Sequence, residues 1–227
     1  MKKYLLYAFG EVLLVVVGIL IALQINNWNE DRKEKNQLQS ILKNVASDLR
    51  QDTLAVNAVI KFYEAIDSAS IKVMNNELTI ENYRECPLCP SIVTFYNPVI
   101  INKKGFELLK NYSSDNFNEK DSLVANIVQG HTQFTTLFEG NNQRLEQTVT
   151  KNISDFQQYS WYVDLMQGKV TPDFIEYIVT SEDYKKRVAT QKAYAIRNQL
   201  AHVKLYRDYA RKILVDLEKR LGQHLEN

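Results

Sequence analysis

Helix breakers and reactive side chains are both scarce in this chain. Seven Gly and four Pro are spread over 227 residues, and none falls between Asn26 and Cys86. That argues against a turn-rich sandwich or barrel and for long helices. An excess of either charge sign is missing too. The formal net charge is +1 and acids and bases are interspersed, so there is no basic patch for nucleic acid. No G-x-S-x-G, no H-E-x-x-H and no Gly-rich phosphate loop occurs. His131, His202 and His224 are scattered and make a poor metal set. The composition therefore assigns no catalytic residue, cofactor or metal, and the expectation is a protein that is not an enzyme.

What is present is one long apolar run. Tyr4 to Ile25 reads YLLYAFGEVLLVVVGILIALQI, with Glu11 as its only charge. At roughly 1.5 Å per residue a helix of that length covers the ~30 Å hydrocarbon core of a bilayer. The expected division is a cytoplasmic head at 1–3, a transmembrane helix at 4–25 and a helical domain at 26–227. Lys2 and Lys3 precede the run, while Glu30 and Asp31 precede the bases Arg32, Lys33 and Lys35. With the α-amino group, that head favours an N-terminus inside and the bulk of the chain periplasmic. Tyr4, Tyr7 and Trp28 stand where interfacial aromatics stand. A cleaved signal peptide is the alternative. The run is long for one, and LQINNW offers no small-x-small cleavage site.

Glu11, Val15, Gly18, Ala22 and Asn26 recur at helical spacing on one side of this run. Gly18 and Ala22 form a small-xxx-small pair that lets another membrane helix approach, and Glu11, Gly18 and Ala22 are candidate contact residues. Two other readings of Glu11 stay open: a shallow carboxylate that snorkels to the head groups, and a proton carrier.

Two resemblances rest on these residues. A Glu followed by V/I/L-rich sequence resembles type IV pilins, but Leu5 stands where that family has the Gly needed for leader cleavage. The second covers more. FGEVLLVVVGILIALQINNWNEDRK, with its GE, apolar stretch and GILIALQINNWNE, resembles the N-terminal signature of an uncharacterised family of single-span envelope proteins of Gram-negative bacteria. The segment IINKKGFELLKNY at 100–112 resembles a second segment of that family. The resemblance implies an inner-membrane location and a helical architecture across essentially the whole chain, and no activity.

Beyond the run, Leu38, Leu42, Val45, Leu49, Asp52, Val56, Val59, Tyr63, Ile66, Ser70 and Val73 follow an alternating 4,3 spacing. This is a heptad seam interrupted by Asp52 and Ser70, and it predicts one helix from the membrane to about Val73, ended by Asn75-Asn76. The spacing also predicts a short helix from Thr79 to Glu85, capped by Thr79. A short extended piece within SIVTFYNPVII is limited by Pro98. A helix over Lys103–Tyr112 and a turn over Ser113–Asn118 come next. A second long helix follows from Glu119 to about Gln157, with Gly130 and Gly140 as weak points. Thr171-Pro172 reads as a helix cap. A last helix runs from Ser181 to about Leu225, antiparallel to the first. The fold class is all-α: an elongated antiparallel bundle on a membrane helix, with short helices and a C-x-x-C loop between the long ones.

Cys86 and Cys89 form that C-x-x-C, followed by Pro90 and outside any βαβ setting. A small disulfide is the first reading, with redox and metal roles as alternatives. The aromatic stretch from Tyr159 to Tyr177 reads as core, with a ligand pocket as the alternative. The expected function is a membrane-anchored interaction or scaffold module of the cell envelope, touching a second copy or another envelope protein. The alternative is a ligand-sensing bundle that signals through a partner.

Overall fold

The computed structural model describes residues 2–115 and 121–222. Met1, Asn118, Glu119, His224, Leu225 and Asn227 lie outside the described residues. Helix α1 spans Lys2–Met74, 73 residues without a break. Its seam is the side that the rest of the chain covers. Leu42, Val45, Leu49, Val56, Val59, Tyr63, Ile66 and Val73 are buried, and so are the polar interruptions Asp52 and Ser70. Leu38, at the lower end, is only half-buried. Asn76 ends the helix in a left-handed conformation at φ 59°, with the Glu77 N–H donating to the Lys72 carbonyl at 2.9 Å.

Helix α2 is Lys104–Asp115, α3 Ser122–Phe156, α4 Tyr162–Met166, α5 Pro172–Thr180, α6 Glu182–Lys192 and α7 Ala201–Leu221. A π-helical stretch, Ala193–Leu200, joins α6 to α7. The ion pairs fix the directions. Asp67 meets Lys192, Glu64 meets Lys204 and Arg50 meets Glu218, so α6–α7 runs antiparallel to α1. Likewise Asp155 meets Arg187 and Asp121 meets Arg220, so α3 is antiparallel to α6–α7 and parallel to α1. Two cores follow along the bundle. The nearer one joins α1, α2, α3 and α7 around Leu42, Leu109, Leu145 and Tyr206. The farther one gathers Ile66, Phe156, Trp161, Phe174 and Tyr184 around the cysteines. Trp161 is 5 % exposed and Phe174 is fully buried, so this aromatic stretch packs as core.

Several boundaries differ from the sequence reading. Thr79 does not cap a helix. It pairs with Asn82 in a turn, its N–H donating to Asn82 Oδ1 at 2.8 Å, and only Tyr83–Glu85 coils further, as a 3-10 turn. Helix α2 continues past Tyr112 to Asp115. Helix α3 starts at Ser122 because the Asp121 carboxylate accepts from the Val124 N–H at 3.2 Å. Residues 95–103 have no regular structure, and among the described residues there is no strand. The last helix contains the π stretch, whose wider turns shift register between α6 and α7. Its buried Gln199 donates to Asn142 Oδ1 on α3 at 2.8 Å.

Candidate functional site

An extended segment without a sheet must find partners for its backbone elsewhere, because buried N–H and C=O groups left unpaired are costly. From Phe95 to Lys103 the chain runs as a strap between the long helices, and helix side chains supply partners along it and at its two ends, Val93 and Gly105. Asn152 donates to the Val93 carbonyl at 2.9 Å. The Tyr63 hydroxyl donates to the Asn97 carbonyl at 2.7 Å and accepts from its N–H at 3.2 Å. Asn142 brackets Val99, accepting from its N–H at 3.0 Å and donating to its carbonyl at 2.7 Å. The Tyr63 hydroxyl of α1 and the Asn142 and Asn152 amides of α3 thus stand in for a neighbouring strand.

The strap ends in a polar cluster. Asp52 on α1 accepts from the Asn102 N–H at 2.9 Å and from Asn102 Nδ2 at 2.7 Å, and the Tyr206 hydroxyl donates to its other oxygen. One turn earlier, Asp48 accepts from the Gly105 N–H at 2.6 Å, a cap for α2 supplied by α1. His131 on α3 closes the cluster: its Nε2–H donates to the Asn102 carbonyl at 2.8 Å and its Nδ1 accepts from the Thr135 hydroxyl at 3.3 Å. Its ring stacks on Phe106 with centroids 3.9 Å apart.

Burial sets the electrostatics here. It raises the Asp52 pKa, which the bonds from Tyr206 and Asn102 partly pull back. Burial and the neighbouring Asp52 push the Tyr206 hydroxyl well above its ordinary range, so it stays a donor. Burial lowers the His131 pKa, against a smaller upward pull from its bond to Asn102. A carboxylate, an imidazole and a phenol have come together, but each atom that could act on a substrate faces another part of the chain. The cavity they line holds about 10 Å³, at the lower limit for one water. The cluster holds α2 and the strap onto α1.

His131 gives this arrangement a pH signature. Its folded pKa lies below the ordinary value of 6.5. Below that value the unfolded chain binds the proton first, so stability falls as pH drops from about 6.5 towards the folded pKa, by at most about 1.4 kcal/mol per pH unit. Asp52 works in the opposite sense and lower, since a raised carboxylate pKa favours the folded state as pH falls through it towards 3.8. Thermal melts between pH 7 and 5 should show a positive slope of stability with pH that His131→Gln reduces. Equal slopes in both proteins would contradict the assignment.

The residues singled out from the sequence lie elsewhere. Cys86 and Cys89 are joined by a disulfide, buried in the far core. The Tyr184 hydroxyl donates to the Cys89 carbonyl. Glu11, Gly18 and Ala22 lie exposed along α1, and a Cβ at Gly18 would meet open space. His202 binds Asn141 at 2.9 Å, far from His131 in the fold, and among the described residues no group of three His, Cys, Asp or Glu could hold a metal. The sequence reading noted Asp52 as a polar interruption of the seam, but missed Asp48, Asn102, Asn142 and Tyr206. The available signal was Asp48 and Asp52 one turn apart on the seam side, matched to the Asn and Gly of IINKKG.

A second concavity opens at the lower end of the bundle. It measures about 1290 Å³ and lies between α1 from Asp31 to Leu38, the end of α2, the start of α3 and Arg220 of α7.

Fold and cluster together define an all-helical chain whose first helix is long and apolar enough to cross a membrane. A model of a family of unknown function, DUF6090, matches residues 11–105. That range runs from Glu11 through the seam, the disulfide loop and the strap to Gly105. It takes in the GE-led N-terminal piece from Glu11 and the second piece as far as Gly105, and leaves out α3 to α7. No curated protein and no solved structure matches the chain.

Proposed function

We propose that this chain is a single-pass inner-membrane protein of a Gram-negative envelope, with its N-terminus cytoplasmic and its bundle periplasmic. In this reading it works without catalysis, as an interaction or scaffold module. The observation that carries the reading is the continuity of α1. One unbroken helix holds the apolar run at its start and the bundle's central seam at its end. A displacement of the membrane segment is thereby a displacement of the core, which suits a module that presents a surface at a fixed height and angle. The buried Cys86–Cys89 disulfide supports an oxidising compartment. Glu11, Gly18 and Ala22 supply the membrane contact, with a second copy or another envelope protein. A second reading, ligand sensing through a partner, is favoured by the cavity at the bundle's lower end.

Topology is the deciding experiment. A reporter active only after export, fused behind Asn227, should be active, and a cytoplasm-only reporter there should be silent. Activity of the cytoplasmic reporter would overturn the orientation. Gly18→Leu in the full chain should weaken crosslinking between membrane segments, and unchanged crosslinking would remove that face from the contact.

A further inference from the structure

We infer that the cavity at the foot of the bundle is a site for one zwitterionic, amine-bearing phospholipid drawn from the leaflet beside it. The inference rests on the membrane-anchored reading above and extends it. Position is the first argument. Asp31, Lys35 and Leu38 line the cavity, and they continue the buried seam of Leu42, Val45 and Leu49 downwards at the same spacing. Counting on in steps of three and four reaches Trp28, Gln24, Ile21, Val17 and Leu14. A helix drifts about 20° per heptad from that repeat, so the row swings by roughly 60° between Leu42 and Ile21 and stays on one half of the helix. The same side of α1 is therefore covered by the bundle above Leu38, opens into the cavity below it, and lies uncovered along the apolar run. Glu11, Gly18 and Ala22 stand about a quarter-turn round the helix from this row. The cavity starts about 9 Å above Ile25 along the axis, at the outer edge of a head-group layer.

The lining is the second argument. Leu38, Leu123, Val124 and Val128 form an aliphatic wall. The volume of about 1290 Å³ exceeds the roughly 300–1,000 Å³ of sites for drug-sized ligands. Charge gathers as both signs: Asp31 and Glu34 beside Lys35, and Asp121 ion-paired with Arg220 at 2.7 Å. With Arg220 held by Asp121, the remaining charges lean acidic and suit a head group that carries an ammonium beside its phosphate better than an anionic one. A second copy fits poorly, because α1 just above the apolar run reads NNWNEDRKEKNQ and offers the cavity a single apolar residue, Trp28.

The test uses the full chain reconstituted in phosphatidylethanolamine vesicles containing a tracer of the same lipid with a photoreactive group in its acyl chain. Adducts are mapped by peptide. The expected result is labelling of α3 between Leu123 and Val128 as well as of the apolar run. Ala125 lines the cavity from an exposed position, so Ala125→Trp should fill the space without disturbing the core. It should cut the α3 adducts by about tenfold, equivalent to about 1.4 kcal/mol, and spare those on the apolar run. Leu54→Trp, on the exposed surface of α1, should leave both unchanged. Adducts confined to the apolar run, α3 labelling unmoved by Ala125→Trp, or equal labelling by a phosphatidylglycerol tracer would each overturn the site while the anchored reading stands. No adducts on the apolar run would overturn both. A disulfide crosslink between two Gln129→Cys chains would place a second copy there and overturn the lipid.

Discussion

Gly105→Ala should lower the stability of the folded chain by about 2 kcal/mol or more, although alanine is the better helix former. The N–H of Gly105 points at Asp48, and a Cβ on this residue would lie 2.6 Å from the backbone nitrogen of Val45 and 2.8 Å from the Asn44 carbonyl carbon. Backbone atoms in the middle of α1 have no rotamer to escape into, so α2 itself would have to move. Overpacking of this kind costs about 1–3 kcal/mol, and more where the framework is rigid. The helix-propensity gain of about 1 kcal/mol is smaller. Gly140→Ala is the control. It lies exposed in α3 with nothing within 4 Å of the added carbon, and should stabilise by up to about 1 kcal/mol. Denaturant titrations of both variants check the pair. Equal shifts of the same sign would show that the α1–α2 approach is not the constraint.

Asp52→Ala should be more damaging, at about 3–5 kcal/mol. The carboxylate serves three donors from two other parts of the chain, Asn102 Nδ2, the Asn102 N–H and the Tyr206 hydroxyl. Its removal leaves them buried without an acceptor, and unmatched buried polar groups cost more than an ordinary hydrogen bond contributes. Tyr206→Phe removes one donor and leaves Asn102 in place, so it should cost less, about 1.5–3 kcal/mol. In hydrogen exchange, Asp52→Ala should release protection along residues 97–105 before it releases α3. Exchange unchanged in the strap would mean that Asp52 does not hold it.

Both predictions concern contacts that no local pattern announces. The seam on α1 was legible because burial along one helix face repeats with the helix itself, and Leu42, Leu49, Val56 and Tyr63 show that repeat without reference to anything else. The same holds for the caps at Asn76, Thr171 and Ser181, where one or two neighbouring residues decide the backbone. The apolar run announces itself by length alone. The strap did not, since nothing in FYNPVIIN says whether its carbonyls will meet a strand, water or a helix amide. That depended on Tyr63, Asn142 and Asn152 arriving from two distant helices. Gly130 and Gly140 read alike as weak points of α3, yet only Gly130 has a neighbour in the way, Tyr209, whose hydroxyl donates to the Asn126 carbonyl beside it. The π stretch was hidden for the same reason, as its register follows from what Gln199 meets on α3. Composition and periodicity thus determined the helices, their long axes and the side of α1 that is buried, because those properties follow from each helix's own repeat. Tertiary structure alone decided which backbone groups Tyr63, Asp52 and Asp48 on that buried side meet, because those bonds join residues 34 to 57 apart in the chain.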